Sequence, residues 1–241
     1  MYDQNVKTGA VSADTVEIYA MNIKRIRGIR QYLEYVSDTK HLEILSFRDR
    51  RDAKGTLFAE LLVRALACER LGILNSQVEL IRGSYGKPAL ASGEGFEFNL
   101  SHAGDWVVCV IDDAPVGIDV QRIEKTDMDI ARFYFSREEY RNLMDKPDAD
   151  KTNYFYDLWT LKESFVKFTG KGFSQEFRDF RIMLDEVEGL KACADGVLQP
   201  ACFKLYDLDS EYKLAVCSSK SNFPEHIEIK MTDWIAKILH S

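Results

Sequence analysis

The chain contains the stretch Trp159-Thr160-Leu161-Lys162-Glu163-Ser164-Phe165-Val166-Lys167, which lies within a helical pattern that runs from Asp150 to Thr169. Glu163 and Lys167 are four residues apart, so they share one face of this helix. A solvent-exposed Glu–Lys pair is the common alternative. The apolar residues around the pair instead favour a position near the core, where a carboxylate is better placed to form a site.

A second stretch, Val116-Gly117-Ile118-Asp119-Val120, has the alternation of a strand, on which Asp119 and Gln121 share the face opposite the apolar residues. A buried Asp needs a partner or a metal ion, whereas an Asp at the end of a strand can also face water. Asp119 lies 44 residues before Glu163. Two such carboxylates beside basic residues suit one divalent metal and a bound diphosphate, because Mg²⁺ typically takes one or two carboxylates and completes its shell with phosphate oxygens and water.

The bulk properties are those of an ordinary globular protein. The chain has 241 residues, of which 46% are hydrophobic and 29% charged, and a net charge of −7. The negative charge argues against a nucleic-acid partner. The sequence shows neither a signal-peptide pattern nor an apolar run of membrane-spanning length. We therefore expect a cytoplasmic protein without a membrane partner, whose five cysteines are reduced and buried.

The order of elements indicates two similar α+β halves. Each half has a long helix, Arg50–Leu71 or Asp150–Thr169, followed by about three strands. We predict a flexible N-terminal extension at 1–15, a first half at 16–118 and a second half at 119–241. The fold class expected is α+β, a pseudo-dimer in which each half packs a long helix on a small, mostly antiparallel sheet.

The shorter elements follow from apolar alternation and turn signals. Ser136 and Glu139 form a capping-box pattern that opens a short helix. Residues 101–105 are predicted to be a hairpin loop between two strands, and residues 23–47 have roughly helical spacing. The predicted strands are Val16–Met21, Val78–Arg82, Phe96–Leu100, Trp106–Ile111, Phe177–Leu184, Ala201–Leu208 and Tyr212–Cys217.

Three basic or polar segments suit phosphate groups. Gly86-Lys87-Pro88 is a turn that carries a cation, and Ser101-His102 offers a hydroxyl and an imidazole in a tight loop. Arg51 and Lys54 belong to a basic cluster at the start of the first long helix, where anions are favoured. An ordinary surface turn, a capped hairpin and a solvated basic turn are the respective alternatives.

In their order and spacing, four motifs resemble the surfactin-synthetase-activating (Sfp) type of phosphopantetheinyl transferase. They are Gly86-Lys87-Pro88, Phe98-Asn99-Leu100-Ser101-His102, Val116-Gly117-Ile118-Asp119 and the Trp159–Lys167 stretch, and the resemblance covers about Tyr19 to Trp234. It implies a pseudo-dimer with the active site at the interface between the halves. It also implies transfer of the phosphopantetheine arm of coenzyme A to a serine of an apo carrier protein, with release of adenosine 3′,5′-bisphosphate.

The resemblance also implies roles for individual residues. Asp119 and Glu163 would bind Mg²⁺, with Mn²⁺ as a substitute, and Glu163 and Lys167 would be catalytic. Gln121 stands where many members have Glu, so its amide oxygen or a water would take the third metal position. The residues implied to contact coenzyme A are Lys40, Lys87, Pro88, Ser101, His102, Lys162 and Lys167. Glu43 and Gly55 are not basic where relatives can be, so Arg51 or Lys54 would substitute for them at the 3′-phosphate.

The second substrate implied by the resemblance is an apo peptidyl or acyl carrier protein. The segment Met128–Tyr140 offers Ile130, Phe133, Tyr134 and Phe135 as a docking patch rimmed by arginines; a helix buried in the second half is the alternative. We expect a monomer, because a pseudo-dimer already completes its site. Two other functions compete: a catalytically weakened module that binds coenzyme A or a carrier protein, and a Mg²⁺-dependent diphosphate hydrolase.

Overall fold

The structure, a computed structural model, describes residues 16–83, 85–93, 95–185 and 189–240. The predicted extension at 1–15 lies outside these residues. The helices are α1 (Asp38–Ser46), α2 (Arg50–Leu71), α3 (Asp129–Tyr134), α4 (Arg137–Met144), α5 (Asp148–Thr169) and α6 (Thr232–Leu239). None of the described helices combines the length and the apolar character that a membrane span requires.

Two small sheets carry the fold. The first has the strand order β12-β1-β5-β4 and the second β10-β11-β6; two further antiparallel sheets have the strand orders β2-β3 and β7-β8-β9. All pairings are antiparallel apart from β1 with β12. The strands are β1 (Glu17–Asn22), β2 (Leu80–Arg82), β3 (Pro88–Leu90), β4 (Glu97–Ala103), β5 (Trp106–Asp112), β6 (Val116–Arg122), β7 (Phe180–Asp185), β8 (Gly189–Ala194), β9 (Val197–Leu198), β10 (Cys202–Tyr206), β11 (Tyr212–Ser218) and β12 (Glu228–Ile229).

Strand alternation builds three apolar layers. On β5, Val107 and Cys109 face α2, whereas Val108 and Val110 face the second sheet. The central layer therefore joins the two sheets face to face. The opposite face of the second sheet packs on α5 through residues such as Phe165. The order α2, first sheet, second sheet, α5 confirms the predicted α+β fold, with a long helix on a small sheet in each half.

Both long helices end where the sequence predicted. Asp49 caps the start of α2 by accepting a hydrogen bond from the Arg51 amide. Gly72 and Gly170 follow α2 and α5 in the left-handed conformation, with φ of 65° and 68°, which glycine adopts at low cost. The capping box of Ser136 and Glu139 is also present at the start of α4.

Two local expectations differ from the structure, and the domain boundary stays a prediction. Only α1 and a single 3₁₀ helix, Arg30–Tyr35, form within residues 23–47. Ser101 and His102 lie in β4 rather than in a loop, because the hairpin turn is confined to Gly104 and Asp105. The boundary predicted between residues 118 and 119 falls inside β6, so the division of the chain at that point stays a prediction.

Candidate active site

The two sheets meet where β4 lies beside β6. Asn99 Oδ1 accepts a hydrogen bond from the Ile118 amide at 2.9 Å, and Ser101 Oγ accepts one from the Val120 amide at 3.3 Å. Both polar side chains are buried. Side chains of the first half thus satisfy backbone groups of β6 that would otherwise be unpaired, and they fix β6 at the junction.

Asp119 lies on β6 with its carboxylate on the α5 side of the strand. It is 2% exposed and accepts hydrogen bonds from three side chains, which satisfies a buried charge. Ser101 Oγ donates to Oδ1 at 2.9 Å, Lys167 Nζ to the same oxygen at 2.7 Å, and Gln121 Nε2 to Oδ2 at 3.0 Å. The strand and the helix that the sequence singled out therefore meet at this carboxylate.

Gly117 lets β6 approach the backbone of α5. A Cβ at this position would lie 2.0 Å from the Ser164 carbonyl oxygen and 2.5 Å from the Phe168 nitrogen. Contacts this short do not occur, and both atoms belong to helix backbone that cannot turn away. The glycine of the Val-Gly-Ile-Asp motif is thus required by the close packing that places Asp119 beside α5.

Replacement of Gly117 by alanine is expected to lower the free energy of unfolding by about 1–3 kcal/mol, the usual cost of overpacking, and to lower activity because Asp119 moves away from α5. Denaturant unfolding and a turnover assay measure the two effects. Gly28→Ala is the matched control, since a Cβ there meets nothing within 4 Å. Equal stability of the two variants would contradict the packing argument.

Lys167 connects three groups of the junction. Besides Asp119, its Nζ donates to Ser101 Oγ and to the Ile118 carbonyl oxygen, each at 3.1 Å. Its side chain is 26% exposed, and its three contacts match the three N–H donors of an ammonium. A partly exposed cation at this position is suited to contact an anionic ligand that exchanges with one of these contacts.

Glu163 lies one helical turn before Lys167 and is partly exposed. Burial raises its pKa, the charge of Asp119 raises it further, and Lys167 opposes both effects. Within the described residues, the Glu163 carboxylate makes no hydrogen bond or ion pair. It is therefore a carboxylate close to Asp119 that remains available to a ligand or a proton.

Ser101 and His102 point to different surroundings, as neighbours on a strand do. The His102 ring packs against Gly55, where a Cβ would lie 2.5 Å from Nδ1, and Nε2 lies 3.4 Å from Thr56 Oγ1. Partial burial lowers the pKa of His102 and Lys167 lowers it further, whereas Asp52 and Asp119 act in the opposite direction. Glycine at position 55 thus makes room for the imidazole, and the lowered pKa favours its neutral form.

A cavity of about 460 Å³ opens beside this site, between α1, α2 and β2 to β4. Lys40 and Pro88, two of the residues implied to contact coenzyme A, line it. Lys40 Nζ lies 3.1 Å from Glu43 and 3.3 Å from Glu60, so its charge is already paired. Arg64 and Arg82 also line the cavity. Neither belongs to a sequence motif, so the motifs do not predict their position.

Three other basic residues occupy positions of different kinds. Lys87 Nζ donates to the Val116 carbonyl oxygen at 2.9 Å, and burial lowers its pKa. Lys54 Nζ donates to the carbonyl oxygens of Ile23 and Ile26, which ties it to a turn. Arg51 is exposed and lines a second cavity of about 290 Å³ that also includes Gln121.

The role implied for Lys162 does not fit its position. Its side chain is 0% exposed and its Nζ lies 3.0 Å from Glu139 Oε1. The ammonium also donates to the carbonyl oxygens of Phe177 and Phe180 at 2.8 and 2.6 Å. Burial lowers the pKa of Lys162 to about 8. All of its contacts are internal, so the assignment of Lys162 to coenzyme A is corrected to a structural one.

Comparison with known proteins identifies this arrangement. Residues 115–217 match the profile of the 4′-phosphopantetheinyl transferase superfamily, and residues 26–113 match that of the 4′-phosphopantetheinyl transferase N-terminal region. The chain is 38% identical to 4′-phosphopantetheinyl transferase psf-1 of Bacillus pumilus, over 83% of this chain and 86% of the relative. It is 34% identical to 4′-phosphopantetheinyl transferase Sfp of Bacillus subtilis (strain 168), over 82% of this chain and 88% of the relative.

The chain therefore belongs to the 4′-phosphopantetheinyl transferase superfamily. Within it, the chain is of the Sfp type that the sequence motifs predicted. It is an enzyme that transfers phosphopantetheine to carrier proteins, and coenzyme A is the substrate of its family. These matches favour the transferase over the weakened binding module that the sequence left open.

Proposed function

We propose that the junction of β4, β6 and α5 is the catalytic centre, and that it transfers phosphopantetheine from coenzyme A to a serine of an apo peptidyl or acyl carrier protein in the presence of Mg²⁺. The observation that supports this proposal most is the convergence of Asp119, Glu163 and Lys167 at one partly open point between the two halves. The protein is proposed to act in the cytoplasm as a monomer.

The donor set fits a hard divalent cation. Within the described residues, no group of three or more His, Cys, Asp and Glu side chains is arranged to hold a metal, so the acidic ligands would be two, Asp119 and Glu163. Mg²⁺ characteristically binds one or two protein carboxylates together with substrate phosphates. When bound, it would neutralise the diphosphate and polarise the bond that breaks. Mn²⁺ has the same preference for oxygen ligands.

The residues of the chain supply the remaining chemistry. Glu163 takes the proton of the carrier serine hydroxyl while the serine oxygen bonds to the β-phosphorus. The bond from that phosphorus to the bridging oxygen breaks, and adenosine 3′,5′-bisphosphate leaves. The raised pKa of Glu163 makes the ionised carboxylate a stronger base, and such assistance is typically worth about 10²–10⁴-fold. Lys167 offers positive charge to the oxygens on which negative charge develops.

The nucleotide part of coenzyme A is proposed to occupy the cavity that Lys40 and Pro88 line. Its volume, about 460 Å³, is within the range of small-molecule sites. His102 contacts Thr56, which lines this cavity, and would contact the 3′-phosphate. Lys40 is paired with Glu43 and Glu60, so Arg82 is the more accessible cation for that phosphate. Arg51 and Lys54 are not placed in this cavity.

Incubation with coenzyme A and Mg²⁺ in the absence of a carrier protein separates the proposed reaction from diphosphate hydrolysis. A transferase leaves coenzyme A intact until an apo carrier protein is added and then releases one adenosine 3′,5′-bisphosphate per carrier. Chromatography of the nucleotides measures both stages. Release without a carrier, at a rate that the carrier does not change, would overturn the proposal in favour of the hydrolase.

Gln121→Glu is expected to tighten Mg²⁺ binding and to destabilise the metal-free protein. The variant replaces the amide that donates to Asp119 Oδ2 by a second carboxylate, which repels Asp119 until a cation is present. Calorimetric Mg²⁺ titration and melting temperatures with and without Mg²⁺ test this. Gln199→Glu, at the end of β9, is the control for added charge. An unchanged titration and melting temperature would place Gln121 outside the metal site.

The carrier protein is proposed to dock on the α3–α4 patch, which consists of Ile130, Phe133 and Tyr134. These side chains are 39%, 65% and 48% exposed, which is unusual for three apolar residues so close together. Phe135, predicted to belong to the patch, is instead buried in the core. Arg132, Arg137 and Arg141 are exposed around the patch and suit an acidic partner.

Reversal of charge in Arg137→Glu is expected to raise the KM for the carrier protein several-fold and to leave the KM for coenzyme A unchanged. Exposed charges act mainly on encounter and lose their effect at high salt. Steady-state kinetics at two salt concentrations measure both properties. An unchanged KM for the carrier at low salt would place docking elsewhere.

A further inference from the structure

Glu139 is a buried carboxylate that joins three segments of the second half. It lies on α4 and is 3% exposed. Its Oε2 accepts a hydrogen bond from the Ser136 amide at 2.8 Å, and its Oε1 accepts one from the Ile182 amide of β7 at 2.8 Å. The same Oε1 forms the ion pair with Lys162 of α5. One side chain thus ties α4 to β7 and to the helix that carries Glu163.

Lys162 extends the connection to the segment that precedes β7. Its ammonium contacts the carbonyl oxygens of Phe177 and Phe180 and lies 4.2 Å from the centre of the Phe180 ring. Lys162 is also the residue directly before Glu163. The buried contacts that hold Lys162 therefore also hold the turn of α5 from which Glu163 projects, because the interior around them is closely packed.

The docking patch is connected to the same turn of α5 by aromatic contacts. The Tyr134 ring lies 5.3 Å from the Trp159 ring and 6.2 Å from the Phe177 ring, and Trp159 lies 5.2 Å from Phe177. Trp159 is one helical turn before Glu163. The exposed patch and the proposed base are thus linked both by these aromatic contacts and by the Glu139–Lys162 ion pair. Both sets of contacts involve α5 and the segment around Phe177.

We propose that the buried Glu139–Lys162 pair is a positioning device for the acceptor protein, because it holds the α3–α4 patch at a fixed place relative to Glu163. The proposal rests on the proposed function and assigns Glu139 a role that touches no substrate. Compared with apolar side chains of similar volume, a buried ion pair contributes little net stability. The pair therefore serves here to hold α4, α5 and β7 in one arrangement. Neither residue of the pair lines the cavity proposed for the nucleotide of coenzyme A, so the affinity for coenzyme A is expected to be retained.

Glu139→Gln tests this, because glutamine preserves the shape and can keep the capping contact, but it removes the charge and sets an amide NH2 against Lys162 and the Ile182 amide. We expect kcat with the carrier protein to fall at least tenfold, whereas the Kd and the KM for coenzyme A stay within twofold of the wild type. Glu139→Asp keeps the charge but shortens the side chain, so it is expected to show the same pattern more weakly. Glu138→Gln is the matched control, since Glu138 is an exposed neighbour paired with Arg181.

Circular dichroism at the assay temperature checks that each variant is folded. With that check, each outcome either supports or overturns the proposal. Wild-type kcat in folded Glu139→Gln would overturn the proposal, and so would an equal loss of coenzyme A affinity, which would indicate general damage to the site. Loss of fold in both Glu139 variants would also overturn it, because the pair would then be a requirement for folding. Failure of the wild type to modify any carrier protein would instead count against the proposed function.

Discussion

Asp119→Asn is expected to reduce phosphopantetheine transfer by more than about 10²-fold while the protein remains folded. Asparagine has the shape of aspartate and still accepts hydrogen bonds from Ser101 and Lys167, so β6 keeps its place. The negative charge is lost, and with it a metal ligand and the opposite charge that pairs with Lys167. Several kcal/mol of transition-state stabilisation depend on such a ligand, and each 1.36 kcal/mol corresponds to about a tenfold change in rate.

The appropriate control is Asp112→Asn. Asp112 is also a buried carboxylate, 3% exposed, which accepts hydrogen bonds from Ser218 and Lys220. Asp112 lies opposite Glu97 in the register of β4 and β5, at the end of that ladder which is remote from Ser101. This control is expected to lose stability and to keep its turnover. Wild-type turnover of Asp119→Asn at saturating Mg²⁺ would contradict the assignment of the site.

Lys162→Ala is expected to lower the free energy of unfolding by about 3–5 kcal/mol, the cost of removing one partner of a buried ion pair. The substitution leaves the Glu139 carboxylate in the interior without its cation. It also leaves the carbonyl oxygens of Phe177 and Phe180 without their donor. Denaturant unfolding measures the loss, which amounts to a large part of the stability of a typical domain.

Lys151→Ala on the same helix is the control for this experiment. Lys151 is paired with Asp148, whose side chain is 95% exposed, and such surface pairs contribute only about 0.2–1 kcal/mol. Equal stability of the two variants would contradict the claim that Lys162 belongs to a buried ion pair. Weaker coenzyme A binding by a fully stable Lys162→Ala variant would restore the ligand role that the structure argues against.

Periodicity and caps were sufficient to predict most of the fold. The long helices are predictable from the sequence because each combines an apolar pattern with a glycine directly after its last residue, Leu71 or Thr169. The face that Asp119 and Gln121 share followed from strand alternation alone. The turn at Gly104 was placed too early, because Ser101 and His102 are polar and resemble loop residues although they pair within β4.

The site was predictable only in part, for physical reasons. Lys162 and Glu163 are adjacent in sequence, but a helix turns by about 100° per residue, so one side chain enters the interior while the next faces the junction. The sequence marks both as charged and does not reveal which is buried. The partners of Lys162 and Asp119 come from distant segments, and Arg64 lines the cavity together with residues of β2 and β3, which follow it in the chain.

The measurement that tests the central claim most directly is the intact mass of an apo carrier protein after incubation with this protein, coenzyme A and Mg²⁺. The carrier is expected to gain the mass of one phosphopantetheine with the wild type, to gain none when EDTA is present, and to gain little with Asp119→Asn. An unmodified peptidyl carrier protein and an unmodified acyl carrier protein, at enzyme concentrations where coenzyme A is bound, would contradict the account.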